Sequence, residues 1–539
     1  MAQKFTEVPI PFTKMSFTPD VPSQALSAGE YNAGYNVEAD VRGIRSVNGD
    51  EYLLPSIVTG ITGNIIFLTS GYRNNGVFWF IMATDTGHWY ACDRAGIINI
   101  TPATGYINTY SANTTITSSW NGNVLFLNDN INPPMYLLSD AVELRLYDHG
   151  PDNYVWNYTP GWTSSTAGFV RLWSTPNVGG ILIAGNITAN LSNGTTENYP
   201  TTIQWSQAFG LNAGPTTWAP TLTNVANQLE VTVSGPVVDG FSLNGSFWLF
   251  SYWDCVQLNP MSYQSTSAPI IGIQPFVQSR GLLNANCWAV NDHTAYGIDS
   301  RDFWTFDGNT FVGLGNQRVR KYLFDNLNPA YTNQVFLVNN TVKQQIEIYY
   351  PDLNSTGGCN QMLSYRYDLG TFNPPRQVAS TRMATESPKY VGTTVNDASR
   401  GIVYATHNQL VQKDTGFTFL GSAINSLFQR DNIQLLPDFS AQALLHRIYP
   451  EISNVDAIGL PVLPSTGNVT MDVGVSQSVG SAPTYLPAVT VNMDTQQPWA
   501  QFNQNAARLL SLRLSSSSSS EPWMATQLTA MLTQTQDNY

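Results

Sequence analysis

Charge is what this chain has least of. Asp, Glu, Lys and Arg together make up 11 % of its 539 residues, against roughly 25 % in ordinary soluble domains. Asn, Gln, Ser and Thr take their place, so the surface is expected to be polar but largely uncharged. The 37 acidic residues outnumber the 24 basic ones, for a net charge of −13 and a pI near 4.7. That balance argues against a protein that grips nucleic acid through phosphate contacts, which need clustered Lys and Arg. Cysteine is almost as scarce. Cys92, Cys255, Cys287 and Cys359 form no CxxC pair and no dense framework, so neither a zinc site nor a disulfide scaffold is indicated, and folding in a reducing cytoplasm is expected. The longest wholly apolar run, residues 77–83, is far too short to cross a bilayer. The opening MAQKFTEVPIPF lacks the apolar core of a signal peptide, so no stable membrane insertion is expected. Sequons at Asn186, Asn190 and Asn193 carry little weight in a chain this rich in Asn and Thr.

Chemical signatures are missing too. There is no Walker loop, GxSxG elbow, HExxH or dinucleotide fingerprint. His88, His149, His293, His407 and His446 are scattered, each beside an aromatic or in a turn, and are expected to be satisfied locally. Asp299, Asp302 and Asp307 lack the alternate-residue spacing of a calcium loop and are read as turn residues. Asp85, Gly87 and Trp89 in ATDTGHW resemble the Asp-box turn of sialidase-type propellers, one residue short and without a further good copy. Even a true Asp box clamps a hairpin and is not catalytic. A glycosidase needs two carboxylates across a sugar ring, and none of the acidic residues can be singled out as such a pair. The basic trio Arg318, Arg320 and Lys321 is read as a solvated helix face or a contact to an acidic neighbouring subunit. No catalytic, cofactor or metal residues are expected, and the chain is read as not an enzyme.

What is present is β-structure. Residues 63–100 divide into four apolar or alternating runs, 64–68, 77–83, 88–92 and 97–100, separated by Gly-, Asn- and Asp-rich turns. Ile, Val, Phe, Trp and Tyr fill a pleated surface, and Gly and Asn supply the positive φ of tight turns. Such a four-stranded sheet cannot bury both faces alone. A glycine-led turn opening an apolar strand recurs at Gly63, Gly122, Gly180, Gly245 and Gly308, in steps of 59, 58, 65 and 63 residues by subtraction. Units of that size around an axis are how a β-propeller protects its edges. The expectation is an all-β chain: an N-terminal arm and first strand over 1–50, a β-propeller of about six four-stranded blades over 51–421, and a sandwich-like β domain over 422–539. The N-terminal strand is expected to shut the ring near residue 420. One short helix is predicted in NQRVRKYLFDNLN, and the serine run 515–520 is read as a loop. The end, PWMATQLTAMLTQTQ, is ambiguous between helix and edge strand.

Four phrases, in order, resemble the nozzle, or tail tubular protein B, of short-tailed phages and their packaged-DNA stabilisation proteins. They are IPFTKMSFTPDVPSQALSAGEYNAGYNVEADVRGIRSVNGDEYLL, TTIQWSQAFGLNAGPTTWAP, GPVVDGFSLNGSFWLFSYWDCVQLN and AYGIDSRDFWTFDGN. The resemblance covers about residues 5–420. It implies a virion protein, made in the bacterial cytoplasm, that forms a ring, commonly a hexamer, below the head-to-tail adaptor. It also implies retention and conduction of packaged DNA through transient non-specific contact, and neighbours such as a fibre, tailspike or needle. It implies no cofactor and no catalytic residue. The alternative from the propeller alone is a glycan-binding or glycan-hydrolysing protein.

Overall fold

The opening unit folds as its residues dictate. In a computed structural model, strands Ile65–Tyr72, Phe78–Thr84, Trp89–Asp93 and Gly96–Asn99 pair antiparallel in sequence order. The structure describes residues 5–53, 60–72, 76–93, 96–101, 106–107, 109–111, 114–137, 156–175, 179–221, 223–261, 271–276, 280–391, 394–436, 442–456, 460, 462, 467–478, 480–494, 499–517 and 522–535.

Six more four-stranded antiparallel sheets follow among the described residues, making seven blades there where the glycine period suggested about six. Their first strands begin at Ile65, Thr117, Thr166, Val237, Trp288, Phe336 and Ala384, so the steps by subtraction are 52, 49, 71, 51, 48 and 48 residues. The glycines misled because they occupy different strand phases. Gly122 and Gly245 sit between first and second strands, Gly63 precedes a first strand, and Gly308 lies between a third and a fourth. The long step comes from an insertion, residues 206–226, in blade 3, whose Phe209 and Trp218 pack against blade 2 residues Val124 and Phe126.

First strands lie side by side through blades 2, 3 and 4 and again through blades 5, 6, 7 and 1, which makes them the inner wall. Apolar clusters fill each gap around the ring: Phe67, Trp79 and Leu125 between blades 1 and 2, Trp173 and Leu249 between 3 and 4, Tyr349 and Tyr404 between 6 and 7. The ring is shut by Asp50–Leu53, which becomes the fourth strand of blade 7 against Gln409–Lys413, Asp50 opposite Lys413 and Leu53 opposite Leu410. Leu53, Leu410 and Val403 then pack with Ile65 and Phe80 of blade 1.

The N-terminal arm, from Phe5 on, is built into the C-terminal sheets. Phe5–Pro11 and Ile44–Ser46 both pair with Trp523–Gln534, and Val37–Ala39 pairs with Ile44–Ser46, in a sheet shared with Ala443–Asn454 and Ala500–Ala507. Ala33–Tyr35 joins Ser426–Gln434 in the facing sheet, with Leu509–Ser516 and Asn468–Ser476. The physical reason is closure. A propeller shut by its N-terminal strand brings both chain ends to the same place, and each end completes the other's sheets. Alternation puts Leu510, Leu512 and Leu514 opposite Leu528, Ala530 and Leu532 in one dry core. The ambiguous C-terminal segment is therefore a central strand, not an edge or a helix. Ser515 and Ser516 end a strand, and residues 518–520 of the serine run lie outside the described residues. The predicted helix forms at Arg320–Asn326.

The sandwich covers the outer edge of blade 6. Its fourth strand, Thr371–Thr381, is buried over its first six residues, whereas the fourth strands of blades 3 and 5 are largely exposed. Pro374 and Pro375 remove edge donors there. The remaining groups are taken by the N-terminal segment: Ala39 N donates to Asn373 Oδ1 at 2.8 Å, Asn36 N to the Pro375 carbonyl at 3.1 Å, and Gln377 N to Asn36 Oδ1 at 3.0 Å.

Eight charged side chains seal this junction, none more than 16 % exposed. Arg45 pairs with Glu38. Lys343 bridges Glu38 and Asp414, 2.8 Å from each. Arg376 pairs with both Asp414 and Asp50, and Lys413 lies 2.7 Å from Glu347 and 3.1 Å from Asp414. Tyr404 Oη donates to Asp50 and Tyr349 Oη to Glu347. Four cations and four anions thus tie blades 6 and 7, the closing strand and the sandwich. Burial raises the Glu38 carboxyl, but Lys343 and Arg45 outweigh it and hold it at about 2, from an ordinary 4.5. Burial is likewise outweighed at Asp414, by Lys343, Lys413 and Arg376, and at Glu347, chiefly by Lys413.

Breaking the junction should be costly. Arg376→Met leaves Asp50 and Asp414 facing each other without their shared cation, and is expected to lower unfolding stability by roughly 3–5 kcal/mol, read by denaturant titration. Glu38 is ionised in the folded chain well below the pH at which it protonates when unfolded. Its contribution is present above about pH 4.5 and is lost as pH falls toward about 2. Asp50, raised by burial, works in the opposite sense. Glu38→Gln should therefore flatten the acid limb of the stability-pH curve across that window and destabilise the protein at pH 7, by on the order of 3 kcal/mol.

Candidate functional site

The inner wall carries the most organised polar cluster away from the junction. Arg171, on the first strand of blade 3, makes a bidentate pair with Asp239 on the first strand of blade 4, at 2.8 and 2.6 Å. Its Nη2 also donates to Asn286 Oδ1 at 2.7 Å and its Nη1 to the Ser118 carbonyl of blade 2 at 2.8 Å. Asp239 accepts in addition from Asn286 N and from Trp288 Nε1 of blade 5, and the guanidinium lies over the Trp288 ring, 5.0 Å from its centroid. Asp239 is fully buried and Arg171 is 7 % exposed. One ion pair therefore joins the inner strands of blades 2 to 5. Its donors and acceptors are so fully used that its chemistry is positional.

Beside it a cavity of about 40 Å³ is lined by residues from the entries to blades 1, 2, 5, 6 and 7, among them Phe67, Thr115, Asn286, Gln334 and Arg382. Lining residues from blades on opposite sides place it on the propeller axis.

The residues singled out by sequence do not converge. His88 Nδ1 meets Thr86 Oγ1, His293 Nδ1 meets Asn244, His407 Nδ1 meets Asn64 and His446 Nε2 meets Thr533, while His149 lies outside the described residues. Asp85 accepts from the backbone and side-chain amides of Asn64, clamping its turn to the loop that enters blade 1. Asp299 Oδ1 accepts from Arg301 N and Asp302 N, and Asp307 Oδ1 from Asn309 N and Thr310 N, both as turn residues. Those two bonds lower the Asp307 pKa. Burial raises Asp302, with Phe303 N, Arg280 and Arg320 pulling the other way. Asp129, which sequence reading passed over, repeats the Asp299 turn in blade 2, accepting from Ile131 N and Asn132 N.

Of the basic trio, Arg318 donates to the Gly370 carbonyl, while Arg320 and Lys321 are exposed. Asp20 accepts from Lys321 N and Tyr322 N at the start of the helix. The four cysteines are buried and form no disulfide among the described residues. Burial pushes the thiols of Cys255, Cys287 and Cys359 up, away from reactivity. Among the described residues no group of three or more His, Cys, Asp or Glu is placed to hold a metal ion, and no helix is long and apolar enough to cross a membrane.

The inner ion pair can be tested directly. Asp239→Asn keeps the shape but strands a buried guanidinium, and should cost about 3–5 kcal/mol. Arg171→Met with Asp239→Asn should cost less than the sum of the two single changes, and a double-mutant cycle in denaturant reads the difference.

No family model matches the chain, and no curated protein does. Among solved structures the chain is similar to the AfRom2 CNH domain, at 8 % identity and a TM-score of 0.37 over 68 % of this chain and 98 % of that one. It is similar also to the computationally designed Ika8 protein, at 9 % identity and a TM-score of 0.33 over 66 % of this chain and 96 % of that one.

Proposed function

We propose that this chain is the repeating subunit of the tail nozzle of a short-tailed phage, a structural virion protein. Identical copies form a closed ring, hexameric as is common in the family it resembles, against a head-to-tail adaptor on one side and a fibre, tailspike or needle on the other. The ring retains packaged DNA and then conducts it, with only transient contact. The observation that carries the reading is where the resembling phrases fall. The longest covers the N-terminal strands and the closing strand Asp50–Leu53, the second covers the third strand of blade 3 with part of its insertion, and the others cover blades 4 and 5. The first holds strands that weld propeller to sandwich, and the third holds one strand of the inner wall, Val237–Leu243, as a rigid subunit under mechanical load requires.

The filled axis bears on the path of DNA. Arg171, Asp239 and a cavity of about 40 Å³ leave no passage there for a duplex whose major groove alone is about 12 Å wide. In this proposal the conduit runs between subunits, around the axis of the ring. An acidic, amide-rich chain suits such a bore, because basic stripes would hold DNA by counterion release.

Electron microscopy of the full chain, alone and with the adaptor, tests the reading. The expected particle is a ring of identical copies with an opening wide enough for duplex DNA and no continuous positive stripe along the bore. Extracted virion tails containing a single copy, or a ring whose opening excludes a duplex, would overturn it.

A further inference from the structure

Asn–Gly pairs occur at Asn48, Asn75, Asn121, Asn193 and Asn244. Such a pair is chemically vulnerable, because glycine has no side chain to obstruct its backbone nitrogen when that atom turns onto the preceding side-chain amide. Asn75 lies outside the described residues, and the fold treats the other four differently. Asn48 and Asn121 are 3 % and 6 % exposed. Gly49 N donates to the Gly416 carbonyl at 2.9 Å, and Asn121 Nδ2 donates to the carbonyls of Gly210 and Ala213 at 2.9 and 3.0 Å. Asn244 is exposed, but blade 5 holds both ends of its amide: Nδ2 donates to the Asp307 carbonyl at 3.0 Å, and Oδ1 meets His293 Nδ1 at 2.9 Å.

Asn193 has no such anchor. It stands at the tip of the hairpin that joins Gly179–Asn190 to Thr196–Trp205 in blade 3, where residues 192–200 are all exposed. Its side-chain partners belong to that tip. Oδ1 accepts from Thr195 N at 3.0 Å and from Thr195 Oγ1 at 2.7 Å, while Nδ2 donates to no described residue. Thr195 N can only donate, which fixes the end of the amide it faces as the oxygen. Two donors on one carbonyl oxygen stabilise the negative charge that gathers there when a nucleophile adds to the carbon, as an oxyanion hole does. The nucleophile is next in sequence. Gly194 N is held by one turn bond, to the Leu191 carbonyl at 3.0 Å, and bonds in an exposed tip open at little cost.

We propose that Asn193 is a site of spontaneous modification, converted by its own backbone to aspartyl and isoaspartyl residues. Hydroxide takes the proton of Gly194 N, and the nitrogen bonds to Asn193 Cγ. The Cγ–Nδ2 bond then breaks, and the leaving nitrogen takes a proton from water to depart as ammonia, which regenerates the hydroxide. Water opens the resulting five-membered imide at either carbonyl. Opening at the side-chain carbonyl leaves an aspartyl residue, and opening at the backbone carbonyl leaves an isoaspartyl one, with the chain running through the former side chain. Each product adds a carboxylate to the hairpin, and the second lengthens the backbone of the tip by one carbon. The inference is independent of the nozzle reading and stands or falls separately.

The test is peptide mapping by mass spectrometry of the full chain after incubation at mildly alkaline pH. The peptide carrying Asn193 should gain one dalton and split into two isomers, in proportion to hydroxide and ahead of the peptides carrying Asn48, Asn121 and Asn244. In denaturant the four rates should converge, since the order is imposed by the fold. Thr195→Val keeps the Asn–Gly pair and the backbone donor but removes the hydroxyl, and should slow conversion several-fold in the folded protein and leave it unchanged in denaturant. Conversion of any of the other three ahead of Asn193 in the folded chain, or a folded-state rate that Thr195→Val leaves untouched, would overturn the proposal.

Discussion

Everything in this molecule hangs on Asp50. The closing strand is only four residues long, and two of them, Glu51 and Tyr52, are exposed. So short a strand buries too little apolar surface to fix its own register. Asp50 fixes it instead, pairing with Arg376, accepting from Tyr404 Oη, and exchanging backbone bonds with Thr418 and Leu420. Gly49 makes the approach possible: a Cβ there would lie 2.2 Å from the Thr418 carbonyl oxygen. A slip by one residue would bury Glu51 or take from Arg376 one of its two carboxylates. Buried ion pairs are weak sources of net stability but strong penalties on wrong arrangements. The eight charges at the junction are best understood as specifying where the ring shuts.

Closure has a consequence for the sandwich. Because the strand that shuts the propeller is preceded by about fifty residues, those residues are delivered to the edge of blade 6 and to the chain's departure point from blade 7. They complete two sheets whose other strands come from the far end of the sequence. Phe12, Tyr31 and Phe428 meet in the shared core, Phe12 and Phe428 edge-on at 5.2 Å. One apolar cluster runs from blades 4, 5 and 6 into the sandwich. Propeller and sandwich therefore cannot be separated without opening that cluster.

Much of this was legible in the sequence, and the failures have physical causes. The four runs of the opening unit appear as strands because apolar alternation and turn residues are local signals. The blade count was not legible, since a glycine marks a turn without saying which turn of the blade it is. Nor was the fate of residues 1–50, because pairing between Phe5–Pro11 and Trp523–Gln534 is set by closure and leaves no local trace. The polar clusters did leave one. Arg171 in FVRLW, Asp239 in VVDGF, Glu347 in QIEIYY and Lys413 in LVQKD are charges set inside apolar strands of a charge-poor chain. An ionised side chain at such a position has to be paired. The partners, from strands distant in sequence, could not be read.

Charge is scarce on the outside as it is in the whole composition. Eight ionised groups are spent at the junction, and Arg171, Asp239 and Asp299 are buried elsewhere, so the exterior is dominated by amides and hydroxyls. Such a surface generates little long-range field, and what there is decays within about 8 Å at physiological salt. Steered encounter between charged faces is then a minor term. Contacts made by this exterior draw their specificity from shape and from hydrogen bonds that exchange with water at small net gain. The ion pairs at the junction thus fix where the propeller shuts, and the surface around them is left mainly to amides and hydroxyls.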